Sequence, residues 1–202
     1  MKNFIIKTIV SLFSTASVSC QKEQSGSSGS SSGGDIKGSY TFVSLQAKTR
    51  STNESVSGSD ISKTITTSEY TSQNNTGTIT IDAGSFRSEN IGYSVNTLTR
   101  STYYENGVLI DTFSIPVQFT LPGSSGAVTY KQITADSIYL QSGFISMGGT
   151  TQIPQPSGAK IKIENGKLIL TSNVSQTTTQ TAQGERVTVI SEGTSVITLQ
   201  KK

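Results

Sequence analysis

Short runs of alternating apolar and polar residues recur along the chain beyond about residue 35. In residues 76–82, Ile79 and Ile81 fall on one face while Thr78 and Thr80 fall on the other. The runs are rich in Ile, Val, Thr, Tyr and Phe, and clusters of Gly, Asn, Asp and Ser separate them. No window of eleven or more residues has a helical period. The pattern predicts an all-β domain built from half-buried strands.

Two dipeptides between alternating runs, Asn106-Gly107 and Asn165-Gly166, predict tight hairpins, because these residues adopt positive φ at low cost. Pro116 interrupts a strand pattern and predicts a sheet edge or a bulge there. About ten strands are expected, at residues 39–47, 61–72, 76–82, 90–104, 108–121, 127–133, 136–141, 159–164, 167–182 and 186–200. So many strands must close or fold over. We expect an antiparallel up-and-down β-barrel of about eight to ten strands, with a β-sandwich as the alternative.

The first 19 residues have the pattern of a signal peptide. Lys2 and Lys7 accompany a short apolar run, which fades into small residues before Cys20. The run is too short and too interrupted for a spanning helix, which needs about 20 apolar residues. Residues 17–20, Ser-Val-Ser-Cys, resemble a loose form of the bacterial lipoprotein signal. That resemblance implies acylation of Cys20 by palmitate-type chains and anchoring in a bilayer; an ordinary secretory signal is the alternative.

Residues 20–34 predict a flexible tether, because Ser and Gly dominate residues 24–34. Eleven such residues span roughly 17–20 Å. Residues 21–23, Gln-Lys-Glu, resemble the short signal that directs some lipoproteins to the outer face of the outer membrane, although a generic polar linker would also fit. The expected organisation is a signal peptide at 1–19, an acylated linker at 20–34 and one all-β domain at 35–202, lipid-anchored in the cell outer membrane.

The first predicted strand opens with Gly38-Ser39-Tyr40, which resembles the Gly-x-Trp opening of lipocalin-like barrels, with Tyr40 in place of tryptophan. The resemblance implies that the ring plugs one end of a barrel and that a small apolar or amphipathic ligand is bound inside. Such barrels also carry a late basic residue against the ring. Arg186 is the candidate for that position.

Composition excludes several kinds of chemistry. Ser and Thr make up 63 of 202 residues, and the chain has no His, no Trp and one Cys. A histidine-activated nucleophile and a Cys/His zinc site are therefore impossible. No calcium-loop or phosphate-binding motif is present, so we expect no enzyme activity, no metal and no cofactor.

The net charge limits which kinds of binding partner are expected. The net charge of +3 becomes +1 once Lys2 and Lys7 leave with the signal peptide, so nucleic acid is not an expected partner. We expect a monomer. However, residues 174–181 combine low charge with high β-propensity, which makes edge pairing with other chains a hazard.

Strand-borne aromatic residues are the candidate ligand contacts, because aromatic rings offer apolar area and tyrosine adds a hydroxyl group. The alternative is that they form the core. The candidates are Tyr40, Phe42, Tyr93, Tyr103, Tyr104, Phe113, Phe119, Tyr130 and Tyr139.

Three functions remain open at this point. The chain could carry a small ligand in its barrel, bind glycans as an accessory lipoprotein of an outer-membrane uptake system, or act as a non-catalytic coat or adhesion protein. Asp136-Ser137-Ile138 also matches a bacterial O-glycosylation pattern, which makes Ser137 a candidate acceptor.

Overall fold

The computed structural model describes residues 35–141 and 157–202, which form strands joined by turns. The predicted signal peptide, Cys20 and the linker lie outside the described residues. The strands are β1 Gly38–Ser57, β2 Asp60–Thr71, β3 Gln73–Ile81, β4 Ser85–Glu105, β5 Val108–Thr134, β6 Ser137–Leu140, β7 Ser157–Glu164, β8 Lys167–Ala182 and β9 Glu185–Lys201.

The strands form one antiparallel sheet that closes into a barrel. Eight of them make the ring in the order β1, β3, β4, β5, β6, β7, β8 and β9, and β9 pairs back onto β1. The ninth strand, β2, lies between the later part of β1 and the later part of β4. The predicted up-and-down barrel is confirmed, and the β-sandwich alternative is wrong because a single sheet closes on itself through the pairing of the last strand, β9, with the first, β1.

The strand count differs from the sequence prediction at one place. The segments predicted at 108–121 and 127–133 are one continuous strand, β5, which stays paired with β4 from Val108 to Thr129. The Gly and Ser residues between the two segments predicted a break. They instead coincide with register shifts against β4 near Ile91. Bulges absorb the irregularity, and the ladder continues through it.

The barrel has two parts with different surroundings. In the closed half, the short strands β6 and β7 complete the ring. In the open half, β1, β2, β4, β5, β8 and β9 run on beyond them as a six-stranded sheet in the order β5, β4, β2, β1, β9, β8. Within the described residues, the far edges of β5 and β8 have no strand partner there. Pro116 lies on this edge part of β5, as predicted.

A break between β2 and β3 marks the boundary between the two halves. Ser72 is buried there; its amide donates to the carbonyl of Leu45 at 2.8 Å, and its Oγ accepts from the Leu45 amide at 2.7 Å. A bulge in β1 between Phe42 and Ser44 lies beside the break. The Asn75 side-chain amide donates to the Val43 carbonyl at 2.7 Å. Side chains therefore replace the missing ladder bonds, and buried backbone groups stay satisfied.

The hydrophobic core occupies the closed half. Seven of the eight ring strands contribute buried apolar side chains to it at alternate positions, and β5 packs partly buried apolar side chains against it. Leu45, Ile79 and Leu199 are fully enclosed, at 0% exposure. The remaining members are Ile36, Tyr40, Phe42, Ile81, Phe86, Ile91, Tyr93, Val95, Ile138, Leu140, Ala159, Ile161, Leu168, Leu170 and Ile197. The closed half is a packed plug of side chains.

Most outward positions of the closed half are polar, and Val43 and Tyr139 are exposed apolar exceptions. Thr80 and Asp82 alternate with buried residues on β3 and just after it, and Lys160 and Lys162 do so on β7. Polar side chains therefore cover most of the outer face of the closed half.

Four tight turns carry the positive φ values that their hairpins require. Asn106-Gly107, Asn165-Gly166 and Gln183-Gly184 have positive φ at both residues, which defines the type I′ turn, and Gly58 opens the β1–β2 turn at φ 62. The first two confirm the sequence prediction. The turns at 58–59, 106–107 and 183–184 lie together at the tip of the open half, where Ile61 and Asn106 exchange hydrogen bonds.

Gly77 provides a test of the close approach between β3 and β4. A Cβ at this position would lie 2.5 Å from the Asn90 carbonyl oxygen, and φ is +102, so Gly77→Ala adds both a clash and backbone strain. We expect a loss of more than about 2 kcal/mol in the free energy of unfolding, measured by urea titration. Gly84→Ala is the control, because no atom lies within 4 Å of its added Cβ. Equal midpoints for the two variants would contradict the packing described here.

Candidate functional site

Three of the nine predicted ligand contacts are core residues. Tyr40, Phe42 and Tyr93 are 2%, 2% and 1% exposed. The Tyr40 hydroxyl donates to the Ile36 carbonyl at 2.8 Å, which ties the start of the domain onto the plug. The rings of Phe42 and Tyr93 meet edge to face with centroids 6.2 Å apart. These side chains fill the closed half.

Two more candidates border this core. Phe119 is half-buried and packs its ring against Tyr93 at 6.2 Å and against Tyr70 at 6.5 Å. Tyr130 packs edge to face on Phe86 at 4.9 Å and donates its hydroxyl to the Asp82 carbonyl at 2.8 Å. The sequence prediction did not include Tyr70, although it belongs to the same ring cluster. Its buried hydroxyl has no hydrogen-bond partner within the described residues.

The remaining four candidates lie away from the core. Tyr103 and Tyr104 are half-buried near the tip of the open half, and the Tyr103 hydroxyl donates to Glu105 at 2.8 Å, which raises the pKa of Tyr103. Phe113 is 44% exposed on β5, and Tyr139 is 40% exposed on the outer side of β6. The structure therefore does not bring the nine aromatic residues into one site.

Ser137, the candidate glycosylation acceptor, begins β6 directly after the β5–β6 turn. It is half-buried, and its hydroxyl is hydrogen-bonded to that of Thr134. Thr134 also donates to the Asp136 carboxylate at 2.6 Å. The Asp-Ser pair thus forms part of the hydrogen-bonded hairpin end.

A groove crosses the outer face of the open half. It has a volume of about 720 Å³ and crosses five adjacent strands, from β8 through β9, β1 and β2 to β4. With strands about 4.8 Å apart, that is a span of roughly 19 Å. Its lining residues are Lys48, Thr49, Arg50, Thr67, Ser68, Glu69, Leu98, Arg100, Asn173, Val174, Ser175, Glu192, Gly193 and Thr194.

Strand register sets the arrangement of charge in this groove. Arg50 on β1 is opposite Thr67 on β2, and Thr67 is opposite Arg100 on β4, so the two arginines share one row. Two strand spacings separate their Cα atoms by about 10 Å. Glu192 on β9 continues the row on the other side of Arg50.

Arg50 and Arg100 are the unpaired cations of the groove. Lys48 is paired with Glu69 at 3.6 Å, and both side chains are about three-quarters exposed, so this ion pair adds little stability. Neither arginine forms an ion pair within 4.0 Å among the described residues. Each guanidinium therefore keeps its five donors for a partner, in a planar fork that fits a carboxylate or sulfate.

Sequence reasoning missed this site because its cations are far apart along the chain. Lys48 and Arg50 are separated from Arg100 by about fifty residues, and the charge pattern indicated scattered basic residues. The only local signal is the alternation of Lys48 with Arg50, which places both on the outward face of one strand. The neighbouring position of Arg100 depends on the register of β2 against both β1 and β4.

A second, smaller concavity of about 480 Å³ lies nearer the tip of the open half. Tyr104, Ile61 and Ile65 supply its apolar wall, and the ion pair between Lys63 and Glu54, at 3.2 Å, supplies its charged wall. Tyr104 is the one predicted aromatic contact found in either concavity. The two surfaces lie on the same face of the open half. Lys48 and Arg50 of the groove and Glu54 of the smaller concavity all occupy even-numbered positions of β1, which point to one side of the sheet.

The described residues contain no helix that could cross a membrane and no group of three or more Cys, Asp or Glu placed to hold a metal ion.

Comparison with known proteins adds little. No protein-family model matches the chain, and no curated protein matches its sequence. Two matching solved structures are crystal structures of Ail, the attachment invasion locus protein of Yersinia pestis, one of them in complex with the heparin analogue sucrose octasulfate. Each is 7% identical and aligns over 81% of this chain and 99% of its own, with TM-scores of 0.22 and 0.24. At these values the likeness carries no functional argument.

Burial of Tyr93 predicts a defined alkaline transition. Burial is the main cause that raises the pKa of Tyr93 from 10.0 to about 12, and the nearby Tyr70 adds to it. The folded state holds this proton more tightly than the unfolded state, so the stabilisation is complete below pH 10 and is lost as the pH rises through 12. We expect the urea midpoint to fall between pH 10 and 12, together with rising phenolate absorbance.

Tyr93→Phe should flatten this pH dependence, whereas Tyr139→Phe, which alters an exposed tyrosine, should leave it unchanged. Equal slopes for the wild-type chain and Tyr93→Phe would contradict the assignment.

Proposed function

We propose that this protein is a non-catalytic adhesion protein of the bacterial cell envelope that binds extended acidic glycans along the groove of its open half. The observation that carries the proposal is the row formed by Arg50, Thr67 and Arg100, with two unpaired guanidinium groups about 10 Å apart in a hydroxyl-rich groove. Guanidinium groups bind carboxylates and sulfates in bidentate fashion.

The shape of the groove supports a chain-like ligand. It is shallow and long, and it crosses strands of one sheet. Thr67, Ser68 and Thr194 add hydroxyl groups between the cations, which suits a partner that is itself rich in hydroxyl groups. Leu98, 65% exposed, offers an apolar contact for a sugar ring.

Placement in the envelope rests on the N-terminal pattern. Acylation of Cys20 and the Ser/Gly tether would hold the domain close to an outer membrane, with its outer face accessible. The described domain begins at Asp35, beside the plug, so the tether would join at the closed half. The groove would then lie in the half of the domain that is farther from the lipid.

The lipocalin-like architecture is part of the same proposal. Tyr40 is buried in the plug of the closed half, which supports this part of the proposal. Lys201 is opposite Tyr40 in the β1–β9 ladder, and its Cε would lie 3.3 Å from a Cβ placed on Gly38, so we propose Lys201 as the basic residue beside the ring. Arg186 was the wrong candidate, because it is opposite Val56 near the far tip.

Substitution of the two arginines tests glycan binding. We expect Arg50→Gln and Arg100→Gln each to weaken binding to polygalacturonate or dextran sulfate about tenfold. Each substitution removes one hydrogen bond to a charged group, and such a bond contributes about 1.5–3 kcal/mol. Wild-type binding should weaken as salt is raised, because the groove is open to solvent. Fluorescence anisotropy with labelled polymer measures both effects.

Arg87→Gln is the matched control, because Arg87 is an exposed arginine on β4, the strand of Arg100, and lies outside the groove. Neutral dextran controls for non-ionic binding. Equal affinities for the three arginine variants, or equal binding to neutral dextran, would overturn the proposal.

Substitution of Cys20 tests the anchor separately. Cys20→Ser removes the acylated thiol, so we expect loss of palmitate labelling and a shift of the protein from the membrane fraction to the soluble fraction. Ser25→Ala, in the same linker, should leave both unchanged. Retention of Cys20→Ser in the detergent phase of a phase-separation assay would show that the anchor prediction is wrong.

One observation favours a second candidate function, the binding of a small amphipathic ligand at the mouth of the barrel. Phe113, Ile115, Val117 and Phe119 alternate on one face of β5, and the first two are 44% and 46% exposed. By strand alternation this face continues the core side of the closed half. A ligand lost on denaturation in native mass spectrometry, and lost with Phe113→Ser, would support this alternative.

A further inference from the structure

The outer edge of β8 carries an unusual segment. Beyond its pairing with β7, which ends at Lys160 opposite Thr171, β8 continues to Ala182 with only β9 beside it among the described residues. Residues 173–182 contain no charge, no Pro and no Gly, and their ladder with β9 has no bulge. Charged side chains, Pro and bulges are features with which proteins block an open edge, and this edge lacks them. The opposite edge, on β5, carries Pro116.

The turn geometry fixes which backbone groups face this open edge. In a two-residue hairpin, the residues flanking the turn are hydrogen-bonded to each other, so Lys167 points its backbone groups to β7 and Ala182 points its groups to β9. Alternation then directs the amide and carbonyl groups of the odd-numbered residues outward. Ser175, Thr177, Thr179 and Thr181 therefore present a continuous row of free donors and acceptors.

The sequence of this edge is self-complementary in the antiparallel direction. Centred on Thr178, the segment places Thr177 opposite Thr179, Gln176 opposite Gln180, Ser175 opposite Thr181, and Val174 opposite Ala182. Every pair joins like chemistry, and the odd-numbered pairs are those whose backbone groups face outward. Two copies related by a two-fold axis through Thr178 therefore satisfy both backbone and side chains, as an isologous contact requires.

We infer that the open edge of β8 pairs with the same edge of a second copy, which makes a dimer with a continuous twelve-stranded sheet across its two open halves. The two-fold axis runs perpendicular to the sheet, so both grooves lie on one face. Asn173, Val174 and Ser175 belong to both the edge and the groove, so the dimer brings the two grooves side by side. This inference replaces the expectation of a monomer and does not depend on glycan binding.

Charged residues placed at the two-fold axis test the proposed dimer. In the full chain carrying Cys20→Ser, light scattering should give the mass of two chains, and Thr178→Lys should give the mass of one, because two lysines then meet across the axis. Thr178→Glu should also be monomeric. An equimolar mixture of Thr178→Lys and Thr178→Glu should restore the dimer.

Thr112→Lys is the control, since it adds the same charge at an exposed site on β5 and should stay dimeric. A disulfide tests the register directly. With Cys20→Ser in the background, Thr178→Cys should cross-link two copies on oxidation, because residues at the axis form a close non-hydrogen-bonded pair. Gln176→Cys should not, because its opposite residue is Gln180.

Three results would overturn the inference. The first is the mass of one chain for the parent protein at all concentrations, which would also follow if another part of the same chain covers this edge. The second is a dimer that persists in Thr178→Lys, and the third is equal cross-linking of Gln176→Cys and Thr178→Cys.

Discussion

The antiparallel ladder between the first and last strands is the constraint on which the rest of the molecule depends. β9 follows β1 from Tyr40 to Ser57, and this pairing turns a meander of strands into a ring. With the ring closed, alternate positions of every strand face one interior, and the apolar side chains fill it. Without it, the sheet would have two more long edges and one uncovered apolar face.

The same ladder also carries the open half. It continues past the core to the hairpin tips, where few apolar side chains are buried, so backbone pairing and hydroxyl contacts hold the sheet together there. Thr66 and Ser101 share one such contact at 3.0 Å. Strands rich in Thr suit this role, because their β-branched side chains favour extended backbone without requiring burial. The protein thus separates a stabilising plug from an exposed, hydroxyl-rich sheet along the same strands.

Much of the fold was readable from local pattern. The alternation around Ile79 and the Asn-Gly dipeptides predicted strands and hairpins, because period-two burial and positive φ are properties of a few neighbouring residues. The predicted strands at 61–72 and 76–82 already placed a break between β2 and β3. The role of Ser72 in that break was not predicted, since it depends on a hydrogen bond to Leu45, 27 residues earlier. The predicted strands at 167–182 and 186–200 placed a turn at Gln183-Gly184. Its type I′ conformation was not predicted, because Gln is an uncommon residue at positive φ.

Few residues of the candidate site could be predicted from the sequence. Aromatic residues were the natural candidates for ligand contacts, but burial, which the sequence does not report, places Tyr40, Phe42 and Tyr93 in the plug. The groove depends on which strands are neighbours, so that Arg50 and Arg100 meet only across β2. A pattern of single residues cannot supply that long-range register.

The separation of plug and groove along continuous strands has a mechanical consequence. A pull between the start of the domain at Asp35 and a partner held in the groove acts nearly parallel to β1. Ladder hydrogen bonds run across the strands, so this pull loads many of them together in shear, whereas a pull across the sheet would open them one after another. The strand geometry therefore favours resistance to tension along the length of the domain.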